Sequence, residues 1–250
     1  MIYTSDRSGN WDIYLRSLDT GKERALTSAP EIARRAEISP DGAKAAYTTG
    51  SSVNLVSTRG GVPEKLCDRC TPTVLGWTAD SRQVIGSVGN PGSLFLLDVQ
   101  DGKQTSLLSH REWDLHRGQI SHDGRWIAFN PKMGATKSAI FISPIRNGTA
   151  ADQKEWIPIT DGEGGDASPM WSPDGNLLYF ITGRNEFQDL WAIRLDAGTK
   201  RPTGEPFEVL PFHNARTPLV SAFGKAVVKD KLFWAMQEFT GNIWLAERTP

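Results

Sequence analysis

Histidines are the side chains of this sequence best suited to bind a metal ion or to carry a proton, and the chain has four of them. Three of them, His110, His116 and His213, fall in polar stretches that separate predicted strands. They could converge on a metal ion, but the intervals between them do not follow the short ligand spacings of a metal site. We therefore expect hydrogen-bonded loop residues here, and we assign no metal ligand and no catalytic residue.

The densest cluster of recognition-type side chains is His110-Arg111-Glu112-Trp113-Asp114. Trp and Arg are over-represented among the residues that dominate binding interfaces, which favours a ligand-binding role. The alternative is that Trp113 covers the hydrophobic core, because a fold with many tryptophans buries most of them. Both interpretations are open from the sequence.

Asp6, Ser8, Asn10 and Asp12 alternate in the way that the oxygen ligands of a calcium loop do. Such a loop also needs a glycine at its sixth position, where this chain has Trp11, and a later carboxylate that is missing. A β-turn in which Asp6 and Asn10 hydrogen-bond to backbone amides is the favoured interpretation.

The two cysteines, Cys67 and Cys70, form a single Cys-Asp-Arg-Cys sequence. A redox motif would need a helix N-terminus beside a βαβ unit, and a zinc site would need a second pair of ligands close by. A disulfide across a short loop is favoured if the protein is exported, and two free thiols are expected if it is cytosolic.

Charge and motif content exclude several classes of function. The chain carries 28 basic and 29 acidic residues without a basic run, so no nucleic acid or anionic membrane surface is expected as a partner. No apolar segment reaches the roughly 18 residues of a membrane span. Neither a Gly-x-Ser-x-Gly elbow nor the kinase Gly-rich loop, His-Arg-Asp and Asp-Phe-Gly set occurs. We expect no cofactor.

A recurring turn sequence must position these side chains. Its copies are Ser39-Pro40-Asp41-Gly42, Thr78-Ala79-Asp80-Ser81, Ser121-His122-Asp123-Gly124 and Ser172-Pro173-Asp174-Gly175. Pro presets φ, Asp caps its own turn and Gly supplies a positive φ, so each copy predicts a tight hairpin between two strands.

A short strand with an apolar or aromatic centre recurs six times. The central residues are Ile13, Val53, Leu94, Ile140, Leu190 and Ile243, at intervals of 40, 41, 46, 50 and 53 residues. Between them, runs rich in β-branched and aromatic residues alternate with Gly, Pro, Asn and Asp clusters, which predicts four short strands in each repeat. Repeats of this size and strand content are typical of a β-propeller.

We therefore predict an all-β fold, a six-bladed β-propeller of four-stranded antiparallel blades that forms one domain over residues 1–250. The predicted blades cover residues 1–28, 29–68, 69–109, 110–161, 162–212 and 213–250. The first and last blades each lack a strand in this interpretation. We therefore expect a piece of a longer polypeptide or an imperfectly closed ring.

In a propeller, the connections from the outermost strand of one blade to the innermost strand of the next gather on one face, around the central channel, and function on repeat folds usually lies in such loops. The predicted connections are residues 28–35, 67–71, 109–117, 161–166 and 213–216. The candidate ligand-binding side chains among them are His110, Arg111, Trp113, Asp114, His116, Asp161, Asp166, His213 and Arg216.

The Ser-Pro-Asp-Gly turns and the segment Ser5-Asp6-Arg7-Ser8-Gly9-Asn10-Trp11-Asp12-Ile13-Tyr14 resemble the WD40-like (PD40) repeats of TolB-type propellers, and the resemblance covers essentially the whole chain. Further segments are similar to the C-terminal propeller of bacterial, especially acidobacterial, serine/threonine protein kinases and winged-helix regulators. They are residues 124–129, 155–160, 199–207 and 240–244. This resemblance implies the extracytoplasmic sensor or scaffold half of a membrane-anchored protein.

From these features we predict a non-catalytic binding module, not an enzyme, that acts as a monomer and recognises a protein or cell-envelope ligand through the loop face. A periplasmic or other extracytoplasmic location is expected, with the cytoplasm as the alternative. Two other functions stay open. Polysaccharide lyases with a propeller fold use a histidine cluster, and some serine peptidases carry similar repeats beside a hydrolase domain.

Overall fold

The computed structural model of the chain describes residues 1–70, 73–89, 92–133, 137–184, 187–212, 225–228 and 231–234. Apart from one turn of 3-10 helix, η1 (Gln153–Glu155), the regular structure of these residues consists of β-strands. Neighbouring strands pair antiparallel along each sheet. The all-β prediction is therefore confirmed.

The strands form five successive sheets, each of which is a blade. The first contains β1 (Ile2–Ser5), β2 (Asp12–Arg16) and β3 (Glu23–Ala25), and the second β4 (Ala33–Ile38), β5 (Lys44–Thr49), β6 (Ser52–Ser57) and β7 (Glu64–Cys67). The third contains β8 (Thr73–Trp77), β9 (Gln83–Gly89), β10 (Gly92–Asp98) and β11 (Gln104–Leu108). The fourth contains β12 (Asp114–Ile120), β13 (Trp126–Lys132), β14 (Phe141–Arg146), β15 (Thr149–Ala150) and β16 (Ile157–Pro158), and the fifth β17 (Ala167–Trp171), β18 (Leu177–Thr182), β19 (Asp189–Arg194) and β20 (Phe207–Leu210).

The prediction of six blades is wrong for the described part of the chain, which forms five. What is described of the sixth repeat is a two-stranded hairpin, β21 (Lys225–Val228) and β22 (Lys231–Trp234). The prediction of six blades rested on six copies of a single strand. A blade, however, requires several strands that pair with one another. The sixth copy, centred on Ile243, lies outside the described residues.

The hydrophobic core lies between the blades rather than at a single centre. One cluster of buried side chains joins the first and second blades, and further clusters join each later pair up to the fourth and fifth. Neighbouring residues on one strand serve different clusters: Ala45 packs toward the first blade and Ala46 toward the third. Since successive side chains of a strand point to opposite faces, a sheet covered on both faces carries a continuous apolar run.

The repeated turns fix the hairpin between the first two strands of a blade. Ser121 Oγ donates a hydrogen bond to Asp123 Oδ1 at 2.6 Å, and the backbone N–H groups of Arg125 and Trp126 donate to Asp123 and Ser121 at 3.1 Å. The same hydroxyl–carboxylate bond measures 2.5, 2.7 and 2.5 Å in the other turns, which are Ser39 with Asp41, Thr78 with Asp80 and Ser172 with Asp174. The predicted turn chemistry is confirmed in all four turns.

The inner strands contact one another in the chain order β4, β8, β12, β17 and β21, and β1 of the first blade contacts β4. Trp171 of β17 is 1 % exposed, and its Nε1 donates to the backbone carbonyl of Gln119 on β12 at 2.9 Å. Trp77 of β8 makes the same bond to the carbonyl of Glu37 on β4, also at 2.9 Å. These tryptophans connect neighbouring blades beside the channel.

Acid should weaken the turns. Burial alone would raise the pKa of Asp123, but the hydrogen bonds from Ser121 and Arg125 outweigh it and lower the pKa to about 2. Because a free Asp titrates near about 3.9, this stabilisation is complete above that pH and is lost as the pH falls toward the folded value. Since the side chain is 40 % exposed, we expect Asp123→Asn to lower the unfolding free energy at neutral pH by only about 1 kcal/mol. Urea unfolding at several pH values should show the difference from wild type shrinking toward pH 2. Asp19→Asn, in an exposed turn, is the control, and an equal pH dependence in both variants would contradict the assignment.

Replacement of Trp171 should loosen the junction of the fourth and fifth blades. Trp171→Phe leaves the buried carbonyl of Gln119 without its indole donor and removes ring volume, so we expect a loss of about 1–3 kcal/mol. Trp11→Phe, at a position 37 % exposed, should change stability by less than about 0.5 kcal/mol. Denaturant unfolding of the two variants tests the comparison, and similar losses in both would show that the indole bond is not a stabilising connection.

Candidate functional site

A groove with a volume of about 510 Å³ lies between the outer strands of the third and fourth blades. One wall is the end of β11 with the connection 109–113, and the other is residues 149–153 with Trp156. The groove exists because the outer strand of the fourth blade is interrupted. β15 and β16 pair with opposite ends of β14, and η1 leaves the line of the sheet between them.

His110 ties the two walls together. Its Nδ1 accepts hydrogen bonds from the backbone N–H groups of Trp113 at 2.9 Å and Glu112 at 3.2 Å. A ring nitrogen that accepts carries no proton, so the neutral ring has its proton on Nε2, which lies 3.2 Å from Gln153 Oε1 on the opposite wall. Both ring nitrogens are therefore engaged in holding the loop and the groove.

An aromatic platform forms the base of the groove. The His110 ring stacks on Trp113 with 4.5 Å between centroids, and Trp156 lies 6.3 Å from Trp113. Trp156 is 8 % exposed, contacts Phe129 edge to face at 4.8 Å and donates through Nε1 to the carbonyl of Ala151 at 2.9 Å. Trp156 therefore belongs to the wall, while half-buried Trp113 offers part of its ring to solvent.

The rim of the groove is polar. Arg111, Glu112 and Gln153 are exposed along it, and β11 is the terminal strand of its sheet, so one backbone edge of that strand faces outward. Exposed strand edges, aromatic faces and amide groups are what proteins use to hold an extended polypeptide. The groove therefore combines an aromatic face with polar groups and a strand edge.

Asp114 does not line the groove. One of its carboxylate oxygens accepts a hydrogen bond from the backbone N–H of Gly92 in the third blade, so it links two blades at the loop face. Three other predicted site residues are not placed in full. The backbone of His116 lies on β12 but its side chain is not described, and His213 and Arg216 lie outside the described residues.

Asp161 and Asp166 come together with Arg184, 25 % exposed, at the loop face of the fifth blade. Arg184 Nη2 lies 2.6 Å from Asp161 Oδ1 and 3.4 Å from Oδ2 of Asp166, which is fully buried. The other oxygen of Asp166 and the hydroxyl of Thr182 have no hydrogen-bond partner among the described residues. A Cβ built on Gly164 would lie 2.1 Å from that hydroxyl, so the close packing of the loop on this cluster requires a glycine.

A chain of hydrogen bonds runs beside the Asp166 cluster toward the channel. Arg117 Nη1 donates to Ser168 Oγ at 2.7 Å, and the backbone N–H of Ser168 donates to Asn130 Oδ1 at 3.4 Å. Asn130 Nδ2 in turn donates to Ser138 Oγ at 3.2 Å, and that hydroxyl donates to the carbonyl of Asp166 at 2.9 Å. The chain joins the fourth and fifth blades through polar groups.

Cys67 and Cys70 are joined by a disulfide, with 6.0 Å between their Cα atoms. The bond closes the turn that follows β7 and packs against the core between the second and third blades. Among the alternatives left open by the sequence, the structure contains the disulfide.

The calcium-like segment is a hydrogen-bonded turn. Ser8 Oγ donates to Asp12 Oδ2 at 2.8 Å, Thr27 Oγ1 donates to Asp12 Oδ1 at 2.9 Å, and Asn10 Nδ2 donates to the carbonyl of Ala29 at 2.8 Å. Within the described ranges, no three His, Cys, Asp or Glu side chains are close enough together to hold a metal ion. These ranges also contain no helix long and apolar enough to cross a membrane.

Sequence reasoning missed Gln153, Trp156, Arg117 and Arg184. Gln153 and Trp156 reach the groove only because the outer strand of the fourth blade is interrupted, and no periodic pattern announces that interruption. Arg184 could have been found from its position at the end of the strand that follows a Ser-Pro-Asp-Gly turn, where it faces the loop 161–166.

No protein-family model matches the chain. An uncharacterized protein of Agrobacterium fabrum is 28 % identical over 153 residues, which cover 58 % of this chain and 49 % of that protein. The chain therefore spans about half the length of the curated relative it matches.

Solved structures place the fold. A TolB candidate from Agrobacterium tumefaciens matches with a TM-score of 0.71 and 18 % identity over 95 % of this chain and 79 % of that one. The chain is a TolB-like β-propeller in structure. TolB from Acinetobacter baumannii matches with a TM-score of 0.60 and 22 % identity over 82 % and 52 % of the two chains. A puromycin-hydrolyzing peptidase of Mycobacterium tuberculosis matches with a TM-score of 0.60 and 14 % identity. The match covers 84 % of this chain and 35 % of the peptidase. At these identities the likeness concerns the fold.

Removal of Arg184 should leave a buried carboxylate uncompensated. We expect Arg184→Gln to lower the unfolding free energy by roughly 2–4 kcal/mol, because Asp166 then loses its cation in a fully buried position. The double variant Asp166→Asn/Arg184→Gln should be more stable than Arg184→Gln alone, since the unpaired charge is gone. Arg82→Gln, whose side chain is 81 % exposed, is the control. Chemical denaturation of wild type, Asp166→Asn, Arg184→Gln and the double variant measures the coupling, and simple additivity of the two single changes would contradict it.

Proposed function

We propose that the chain is a non-catalytic binding propeller that holds an extended segment of a protein ligand in the groove between its third and fourth blades. The observation that carries this proposal is the platform of His110, Trp113 and Trp156, which the His110–Gln153 bond holds open between two backbone walls. Partly exposed aromatic rings surrounded by polar rim groups are typical of binding hot spots.

The groove chemistry favours a polypeptide over other ligands. The outward edge of β11 offers backbone donors and acceptors in a row, and side chains of an added segment would alternate between Trp113 and solvent. Arg111 and Glu112 at the rim supply one charge of each sign. This balance supports a ligand with mixed charge rather than a polyanion.

The location that we propose is extracytoplasmic, within a larger protein of TolB-like or kinase-linked sensor type. Support comes from the disulfide between Cys67 and Cys70, because disulfides persist mainly in oxidising compartments. The fold likeness to two TolB structures is compatible with this location.

A second candidate is the propeller part of a peptidase. It is favoured by the fold likeness to the puromycin-hydrolyzing peptidase, of which this chain covers 35 %. In that case the chain would contribute a ligand-holding surface and another domain would contribute the chemistry. Puromycin hydrolysis by the isolated chain would contradict the binding-only proposal.

Selection from a library of random peptides displayed on phage tests the proposed groove. We expect peptides with about micromolar affinity, and Trp113→Ala should weaken the best of them at least about tenfold because the open ring face is lost. Trp11→Ala, which removes an exposed tryptophan of the first blade, is the matched control and should bind as wild type does.

Fluorescence polarisation with labelled peptides gives the affinities. Equal affinity of wild type and Trp113→Ala for the peptides would show that the binding site is not the groove. Failure of the folded chain to enrich any peptide would contradict a polypeptide ligand.

A further inference from the structure

His110 accepts two hydrogen bonds in a way that only the neutral ring allows. Its Nδ1 receives the backbone N–H groups of Trp113 at 2.9 Å and of Glu112 at 3.2 Å. Both ring nitrogens of a protonated histidine carry a hydrogen, so the charged ring has no acceptor for these two groups. The geometry therefore requires the neutral ring, in which Nε2 carries the proton and faces Gln153 Oε1 at 3.2 Å.

Protonation would act on one wall of the groove and spare the other. Nε2 carries a hydrogen in both states, so the bond to Gln153 is compatible with either charge. A hydrogen on Nδ1, in contrast, would point at two backbone N–H groups, and the ring would have to leave them. The connection 109–113 would then lose the side-chain acceptor that holds the amide of Trp113.

The aromatic platform depends on the same ring. His110 stacks on Trp113 with 4.5 Å between centroids and lies 5.8 Å from Trp156. Trp156 is held independently, since its Nε1 donates to the carbonyl of Ala151 and its ring is buried against Phe129. The backbone amide of Trp113 is held by His110 instead. Movement of the His110 ring should therefore displace Trp113 and leave Trp156 in place.

The charged groups around His110 can accept a protonated ring once it has moved. The charged residues that line the groove with it are Arg111, Glu112 and Asp152. β11 contributes serine and leucine side chains to the lining. On η1, Glu155 is paired with Arg146 at 2.7 Å, and Lys154 is exposed outside the lining. Two carboxylates thus share the groove with one guanidinium, so an imidazolium that leaves Trp113 has anionic partners nearby.

We propose that His110 is a pH switch of the groove: the neutral ring holds the connection 109–113 in its ligand-binding form, and protonation in mild acid releases it and weakens the hold on a polypeptide. Histidine is the side chain that ordinarily changes charge between about pH 5 and 8. The inference rests on the binding function proposed above, because it assigns the regulation of that same groove.

The free chain tests the switch without any ligand. In the ¹⁵N-labelled full chain, the backbone amide signals of Glu112 and Trp113 are followed together with the ring signals of His110 between about pH 7.5 and 5.5. We expect both amide signals to move with the same midpoint as the ring, because they lose their acceptor when Nδ1 gains its proton. Amide signals that stay in place while His110 titrates, or a ring that stays neutral down to about pH 5.5, would overturn the proposal.

Peptide affinity measures the consequence for the groove. The probe is a selected peptide with capped ends and without Asp, Glu or His, so that its own charge stays constant. Wild type should bind it at least about fivefold more weakly at about pH 5.5 than at pH 7.5, since two hydrogen bonds of the connection are lost. Equal affinity at both pH values would refute the switch. Absence of any peptide that binds at pH 7.5 would contradict the proposed function, and the amide signals then show separately whether the connection responds to acid.

Two substitutions of His110 separate the acceptor from the proton. His110→Asn keeps a side-chain oxygen that can accept from the same backbone amides, as in an Asx turn, and it does not titrate in this range. Because the stacked ring is lost, the readout is the ratio of its affinities at the two pH values, which should stay below about twofold. His110→Phe keeps a ring to stack on Trp113 but has no acceptor, so it should bind weakly at both pH values.

A matched histidine controls for general effects of acid. His122→Asn changes an exposed residue in the turn of the fourth blade and should keep the wild-type ratio of affinities. A His110→Asn protein that loses as much affinity in acid as wild type does would count against His110 as the switch. If neither His110 variant folds, the amide titration of wild type still decides the proposal, because it needs no substitution.

Discussion

The hydrogen bond from a Ser or Thr hydroxyl to the Asp two residues later is the constraint on which the blades depend. It closes the turn between the innermost strand and the next, in four successive blades, at 2.5 to 2.7 Å. Because a slip of one residue would turn every side chain to the opposite face of the sheet, this turn decides which residues face which neighbouring blade. The order of the inter-blade cores follows from it.

Fixed register has consequences at the channel. Trp171 stands directly before the turn that begins at Ser172, so its indole is delivered to the carbonyl of Gln119 on the preceding inner strand. Opposite the turns, at the other end of the inner strands, the pairing is bulged in β4, β8, β12 and β17. One end of each inner strand is therefore regular and held by the turn, whereas the other part is irregular.

Local chemistry explains what the sequence could predict. The turns and the third strands carry their signals within a few residues, so the all-β blades and the Ser121 to Asp123 bond were predictable. The His110–Trp113 pair was also predictable, since both residues lie in one loop and the backbone N–H of Trp113 binds His110. Gln153 and Trp156 were not, because they enter the groove through an interruption of an outer strand, which is decided by packing. Asp114 was predicted to bind a ligand from its place in the connection 109–117, and in the structure its carboxylate accepts a hydrogen bond from the backbone N–H of Gly92, a contact that the sequence did not indicate. The predicted number of six blades was wrong, because the recurrence of one strand does not show how many other strands pair with it to form a sheet.

The groups that could contact a ligand are those whose hydrogen-bond donors and acceptors are not already paired within the protein. His110 uses both ring nitrogens to hold the groove, and Asp12 of the calcium-like segment accepts hydrogen bonds from Ser8 and Thr27. Hydrogen-bond partners of this kind hold the groups in place within the fold. In the described part of the chain, groups with capacity left include the open face of Trp113, the outward edge of β11, and the buried Asp166 Oδ1 and Thr182 hydroxyl. The ring face and the strand edge are suited to hold an extended chain. These two features are the basis of the binding role that we propose for the groove.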